Sequence, residues 1–521
     1  MALMVAVAVL ATVAHALRVP YPILLVFGGL ILAAVPAIPN IQLAPELVFL
    51  LFLPPLLYIA GFETSLRDVK AQLRDILSLA IGLVLVTIVA VAVVTHQQMP
   101  ELGWPAAFAL GAIVAPPDAV AAQAVLGGLA VPRRLVTLLD GESLFNDATA
   151  LVAYQAALLA AATATFSPTQ VALQFVVAAL GGVLVGVAVG AGVAWMRRRL
   201  DDPPVEITVS LLTPFAAYLP AEQLGFSGVL ATVTTGLFIG WFAPRIMESD
   251  TRLRGRAVWD MVVFMLNGLV FILIGLQLSS VVDGLSARPL TEVIGFGALI
   301  SLTVIVVRLV WIFGATYLSW WTHRLIHGRH ELPFPNWRRT FVVGWAGMRG
   351  VVTLATALAL PLALAGRDIL IFAAFCVILA TLVGQGLTLP LVTRALGIGG
   401  DSSADAEEQR ARTVAAEAAV ARIEELADEW PGHLPLIDTL RSQYAHRASH
   451  LATNGQHADG TASGDPSESE QELLEHRQIR RAVIEAEREA VLHLRTSGAL
   501  PEEAWRRVER DLDLEELRME A

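Results

Sequence analysis

Cysteine is nearly missing from this chain: Cys376 is the single one in 521 residues. An internal disulfide, a cysteine-based metal cluster and a disulfide-rich ectodomain are thereby excluded. Charge is scarce as well. Only 16% of the residues are Asp, Glu, Lys or Arg and 55% are apolar, whereas a soluble chain keeps about a quarter of its residues charged. A water-soluble enzyme of this length does not fit that composition. There is no basic patch interleaved with aromatics, so no nucleic-acid partner is expected. There is no phosphate-cradling glycine loop to support ATP-driven pumping, no HExxH or other zinc spacing, and no cofactor fingerprint. No nucleophile–base pair points to an intramembrane hydrolase, and no enzyme activity is expected. What remains is an all-α polytopic membrane protein.

The charge that is present is unevenly placed. Residues 400–521 hold 27 of the 47 acidic residues and 14 of the 36 basic ones, a net of −13, which leaves the preceding residues at +2. Two parts are expected: a membrane domain over 1–395 and an acidic, largely helical tail over 396–521. Helical spacing of Ala, Glu, Arg and Leu recurs in the tail at about 406–428, 470–496 and 501–518, with a flexible linker at about 452–470. The tail carries no GxGxxG fingerprint, so it is not read as a nucleotide-binding domain.

Apolar stretches long enough to span a bilayer recur thirteen times, at about 2–17, 20–38, 43–62, 75–95, 104–129, 136–161, 170–195, 205–220, 225–241, 258–281, 290–321, 338–363 and 368–393. The first lacks a basic n-region and is read as a span, not a cleaved signal. Loop charges test the count. Eighteen basic residues fall in loops on one side, among them Arg67, Lys70, Arg74, Arg197 and Arg254; only Arg288 and Arg367 fall on the other. Basic loops stay inside, so the N-terminus is placed outside and the tail in the cytoplasm, in a plasma (inner) membrane. A cluster of histidines, His323, His327 and His330, is interleaved with Arg324 and Arg329 and reads as a solvated basic loop before it reads as a pH sensor. Gly181, Gly182, Gly186, Gly190 and Gly192 in the seventh span predict close helix packing.

Ionisable residues inside spans are costly and mark function by default. Arg308 and Arg349 are the two basic ones. Asp118, Asp147 and Arg349 lie about 20, 20 and 15 Å along their helices from the nearest end, near mid-membrane. In the fifth span, GAIVAPPDAVAAQAV, Pro116 and Pro117 break the helix beside Asp118. Freed carbonyls are tolerable in mid-membrane only against protein or a water-filled cavity, so this resembles a cation site. The sixth span, LLDGESLFNDATALVAY, puts Asp140, Ser143 and Asp147 on one helical face, with Glu142 and Asn146 on an adjoining one. A carboxylate here holds a proton or a hard cation, not both, and that competition couples the two fluxes. Asp147 is the best candidate for it. Asn146 braces the broken segment or adds a neutral oxygen, and Asp140 is equally well an entry residue. In the twelfth span Gly344, Gly347 and Gly350 loosen the helix around Arg349. A guanidinium does not usefully release its proton, so Arg349 pairs Glu142 or offsets the carbonyl ends of broken helices. The interrupted spans five and twelve fit two inverted six-helix repeats around a linking seventh span, the arrangement that places a secondary transporter's site at the midplane.

The segments GESLFNDATALV, GMRGVVTLATALALP and LFLPPLLYIAGFETSLRD together resemble the NhaP-type sodium/proton antiporters, the bacterial branch of the monovalent cation:proton antiporter-1 family. The resemblance covers about residues 5–395. It implies Na⁺/H⁺ exchange by alternating access, with Asp147 binding Na⁺ and H⁺ in turn and Asp118 shaping the Na⁺ site. Ser143 and Asn146 complete the candidate site, Glu142 and Arg349 form a buried ion pair, and Arg308 stabilises the helix breaks. It also implies the NhaA/NhaP-like fold, a core of spans 4–6 and 11–13 moving against a homodimer-forming scaffold of spans 1–3 and 7–10, and a role in pH homeostasis. An Asn-Asp pair is typical of electroneutral exchange there. Two departures stand out: Ile59 replaces an acidic residue that relatives often carry, and Pro117-Asp118-Ala119 replaces Thr-Asp-Pro, which removes one hydroxyl. The alternatives are K⁺/H⁺ or mixed-cation (Li⁺-accepting) exchange at the same site, a cation channel, or a membrane sensor acting through its tail.

Overall fold

A computed structural model describes residues 2–17, 19–33, 48–126, 133–163, 168–200, 202–283, 285, 289–327, 334–398, 418–427, 435, 437–439, 441–442 and 514. The chain divides into two units, Met1–Gly400 and Asp401–Ala521. In the second, residues 418–427 are helical, inside the first of the expected tail helices. The linker at 452–470 and the helical stretch at 470–496 lie outside the described residues, as does His330.

The first unit is all-helical among the described residues. Its elements run α1 (Ala2–Leu17), α2 (Tyr21–Ala33), a π-turn at Val48–Phe52 leading into α3 (Leu53–Glu63), and the short α4 (Leu66–Ala71). Then comes α5 (Leu73–Gln98), which carries a π-helical segment at Ser78–Leu83. A divided pair follows, α6 (Gly103–Val114) and α7 (Ala119–Leu126), and after it α8 (Arg133–Thr163), α9 (Pro168–Arg197), α10 (Pro203–Gln223), α11 (Gly228–Ile246), α12 (Ser249–Asp283) and α13 (Leu290–His327). A second divided pair, α14 (Trp337–Trp345) and α15 (Val351–Leu358), precedes α16 (Arg367–Ala395), with a π-helical segment at Ala380–Gln385.

Six of these helices are long and apolar enough to cross a membrane: Leu73–Gln98, Leu135–Thr163, Thr169–Arg197, Thr251–Leu278, Leu290–Thr322 and Arg367–Ala395. The chain is therefore a multi-pass integral membrane protein. Among the described residues, two further stretches are each split into shorter helices, the apolar helical stretches of α1, α2, α3 and α11 run to 10–17 residues, and α10 is not among the six.

Packing sorts the helices into two groups. One comprises α1–α3 and α9–α12, with its tightest seams between α2 and α12, α9 and α11, and α3 and α11. The other comprises α5–α8 and α13–α16, in which α5 packs on α6, α6 on α8, α13 on α16 and α15 on α16. In the first group glycine brings backbones together. A Cβ on Gly29 would run into the carbonyl of Ile272, and one on Gly275 into that of Val26. The glycines of the seventh span pack closely at Gly182 and Gly186, where an added Cβ would lie 2.6 and 2.5 Å from the carbonyl oxygens of Ser227 and Ala231. Gly192 meets nothing. In lipid no hydrophobic force draws one helix to another, so such close van der Waals contact holds the seams.

Candidate functional site

The two divided helices meet at their breaks, and tracing each freed backbone group shows how. Helix α6 ends at Val114 because Pro116 and Pro117 follow. An unbroken helix would send the Asp118 N–H to the Val114 carbonyl. Here that N–H donates instead to the Met348 carbonyl, at 2.7 Å, in the other break. The carbonyls left behind, Val114 and Ala115, accept from the Arg349 guanidinium at 3.1 and 3.2 Å. The Pro117 carbonyl accepts from Asn146 Nδ2 at 3.0 Å. In the second break, the Arg349 guanidinium also donates to the Gly347 carbonyl, and the Arg349 N–H donates to Thr381 Oγ1 at 3.0 Å. These released backbone groups thus find partners within the crossing, as buried backbone demands.

The ends also order the charges. Helices α6 and α14 finish here, so their partially negative carbonyl ends converge on Arg349. Helices α7 and α15 begin here, with partially positive N–H ends. Asp118 serves both: Oδ1 accepts from Ala121 N–H at 3.4 Å and Oδ2 from Val351 N–H at 3.3 Å. The second bond needs a glycine beside it, since a Cβ on Gly350 would overlap Asp118 Oδ2.

Asp147 is placed differently. It sits on α8, 4% exposed, next to the fully buried Asn146. Asp118 lies within electrostatic reach of it, yet no hydrogen bond to its carboxylate is formed among the described residues. Asn146 spends its amide nitrogen on Pro117 and leaves Oδ1 buried without a partner. Ser143 is half-buried one turn before Asp147 on α8. Asp140, also half-buried, accepts from Gln123 Nε2 of α7 at 2.6 Å, which ties the start of α8 to the second half of the broken helix.

One expected pairing is corrected. Glu142 does not pair Arg349. Its two oxygens take Arg308 Nη1 and Nη2 at 2.5 and 2.9 Å, a fork-to-fork pair with both side chains buried. Arg308 enters from α13, and its Nη2 also reaches the Val343 carbonyl of α14 at 3.4 Å. Arg349 starts inside the break, where main-chain carbonyls are nearer than any carboxylate. The chain makes room for both arginines at Gly347, where a Cβ would overlap the Arg308 side chain. Thr381 joins the site without a signal in the sequence. A threonine in an apolar helix is ordinary, and only the π-helical segment that contains it sets the position apart.

Comparison with known proteins gives the chain a family and a fold likeness. Residues 3–395 match the family model described as sodium/hydrogen exchanger, transmembrane. An uncharacterized Na(+)/H(+) exchanger of Mycobacterium tuberculosis is 35% identical over 531 residues, covering 99% of this chain and 95% of that protein. A sodium, potassium, lithium and rubidium/H(+) antiporter of Bacillus subtilis is 34% identical over 392 residues, 72% of this chain and 58% of its own length. Among solved structures, the sodium proton antiporter MjNhaP1 from Methanocaldococcus jannaschii superposes with a TM-score of 0.56 at 18% identity, covering 76% of this chain and 96% of that one, a likeness of fold.

Proposed function

This chain belongs to the sodium/hydrogen exchanger family, and on that premise we propose that Asp147 is the carboxylate through which it exchanges Na⁺ for H⁺ by alternating access. The observation that carries the assignment is the contrast between the two aspartates at the crossing. Asp118 is engaged by the N–H ends of two half-helices. Asp147 is buried on an unbroken helix with no such partner. A desolvated carboxylate without a fixed counter-charge must neutralise itself, and a proton or a monovalent cation each does so. The two cannot be held together, so release of one accompanies capture of the other.

Asp118, Ser143 and Asn146 complete the cation site in this reading. Arg349 and the Glu142–Arg308 pair keep the broken helices in register and carry no proton. Thirteen stretches cross the membrane as two inverted repeats, with the divided helices α6/α7 and α14/α15 as the related pair. Loop charge supports an external N-terminus and a cytoplasmic tail in the plasma membrane. The core α5–α8 and α13–α16 moves, and α1–α3 with α9–α12 forms the scaffold and the homodimer contact. Residues 1–395 form the exchanger domain and 396–521 a separate cytoplasmic tail. A second reading, exchange of K⁺ or several cations at the same site, is favoured by the Bacillus subtilis relative, whose name includes four cations.

The test is cation-induced proton flux in inverted vesicles from a host without its own antiporters, with Na⁺, Li⁺ and K⁺ offered across pH. Proton release on adding Na⁺, lost in Asp147→Asn, is the expected result. A response to K⁺ alone keeps the mechanism and changes the substrate; flux that survives in Asp147→Asn overturns the assignment.

A further inference from the structure

A threonine hydroxyl in a helix normally donates to the carbonyl four residues back, and this protein follows the habit closely. Among its buried threonines, Thr87, Thr213, Thr356 and Thr381 all do so at 2.7 Å. Thr353 does not. Its residue four back is Arg349, inside the break, and Thr353 Oγ1 is buried with no hydrogen-bond partner while the residue is 1% exposed. Of the other buried threonines among the described residues, only Thr95, near the end of α5 and remote in sequence from either break, leaves its hydroxyl in the same condition.

The location of Thr353 gives the unused oxygen meaning. Gly350 is the N-cap of α15, and Val351, Val352 and Thr353 are its first three residues. The N-cap has no side chain of its own. Asp118 Oδ2 takes that place, accepting from Val351 N–H at 3.3 Å. The N-cap and the third helical residue face one another, which is why a capping box links these positions. Thr353 is therefore on the face of α15 that the Asp118 carboxylate covers. Nearby neutral oxygens are few: Asn146 Oδ1, on the α8 side, is buried without a partner, while Pro117, beside Asp118, has no side-chain oxygen and its carbonyl is taken by Asn146.

We propose that Thr353 Oγ1 is a ligand of the transported cation, a neutral oxygen on the α15 side of the site that complements the carboxylates of Asp118 and Asp147. Hard cations are held by oxygen, and a ligand set that mixes carboxylates with neutral oxygens binds without fixing the ion too tightly to leave. This rests on the exchange reading above. It adds to that reading a residue from the second divided helix, so the cation contacts both halves of the crossing.

The experiment compares Thr353→Val, Thr353→Ser and Thr356→Val in the full chain by Na⁺-driven proton flux at one pH, separating the half-saturating Na⁺ concentration from the maximal rate. Thr353→Val keeps shape and removes the oxygen. It is expected to raise half-saturating Na⁺ by roughly tenfold, the factor that one modest lost contact gives, with a smaller change in maximal rate. Thr353→Ser should restore it, and Thr356→Val, which removes a hydroxyl one turn away, should leave it unchanged. An unchanged half-saturation in Thr353→Val, an equal shift in Thr356→Val, or no rescue by Ser overturns the proposal while exchange stands. If Thr353→Val does not accumulate, Thr353→Cys is read instead: a soft sulfur should favour Tl⁺ over Na⁺ relative to the wild type, and an unaltered ratio overturns the proposal. A wild type without cation-driven flux overturns the exchange reading, and this ligand with it.

Discussion

The seam between α2 and α12 and the crossing of α6/α7 with α14/α15 solve the same problem, two chains in close contact within lipid, by opposite means. At the seam, side chains are removed. Gly29 and Gly275 let unbroken backbones touch, and in the same manner a Cβ on Gly61 would lie 2.7 Å from the Val233 carbonyl oxygen, between α3 and α11. No backbone group is freed, so no polar side chain is needed. At the crossing the helices are broken, and Arg349, Asn146, Asp118 and Thr381 each take up a released N–H or carbonyl. The first arrangement suits a rigid frame. The second concentrates polar atoms where the two divided helices cross. Substitutions in the two regions should therefore fail in different ways: loss of fold at the seam, loss of affinity or turnover at the crossing.

The largest effect is expected at Asp147. Asp147→Asn keeps the shape and removes the charge that a cation requires, so Na⁺-driven proton flux should fall at least ~100-fold, the scale on which loss of a charge with no substitute acts. Thermal stability of the purified protein should stay the same or rise, since an unpaired buried carboxylate has gone. A marked loss of stability would make Asp147 structural, like its neighbours.

Next comes the buried pair. Removing one partner strands a charge, and Glu142→Gln or Arg308→Met should each cost roughly 3–5 kcal/mol. The double variant Glu142→Gln/Arg308→Met should be more stable than Arg308→Met alone, measured by thermal unfolding in detergent. If Arg349→Met, not Arg308→Met, showed this coupling to Glu142, the Glu142–Arg308 pairing would be wrong.

The breaks at the crossing are legible in the amino-acid sequence because Pro116 and Pro117 remove donors, and because Gly344, Gly347 and Gly350 cluster in one apolar stretch. Asp118 and Asp147 are legible because carboxylates within apolar spans require a purpose, and Asn146 because it adjoins Asp147. The partner of each arginine is not. Arg308 and Arg349 are both buried cations, and which one meets Glu142 depends on the direction each enters from, a tertiary fact without local signal. Thr353 and Thr381 are invisible for a related reason: their role lies in which carbonyl is or is not four residues behind them. Helix ends are blurred where charge begins. Helix α12 starts at Ser249, not near 258, because Arg252, Arg254 and Arg256 continue the helix beyond its apolar part, and hydropathy registers only that part.

A matched pair of glycine substitutions sharpens the contrast. Gly275→Val forces a side chain against the backbone of α2, and overpacking of this kind costs about 1–3 kcal/mol. The expected outcome is a lower unfolding temperature with an unchanged half-saturating Na⁺ concentration in the protein that remains folded. Gly350→Ala places its methyl on Asp118 Oδ2 and should do the reverse, raising half-saturating Na⁺ severalfold with a smaller stability loss. Identical phenotypes would erase the distinction between frame and site.

The smallest effect is expected outside both regions. The residues of the crossing belong to the unit Met1–Gly400, and the family match ends at residue 395. Deleting 401–521 should leave half-saturating Na⁺ within about twofold of the full chain, a difference of only a few tenths of a kcal/mol. The separation is informative because the rival classes diverge here. A sensor that signals through its tail loses its output with the deletion, whereas an exchanger whose ligands lie in the α6/α7 break, on α8 and on α15 keeps its ion dependence. A change in maximal rate or in its pH profile, with half-saturation preserved, would assign the tail to control of the moving core and leave the chemistry at Asp147.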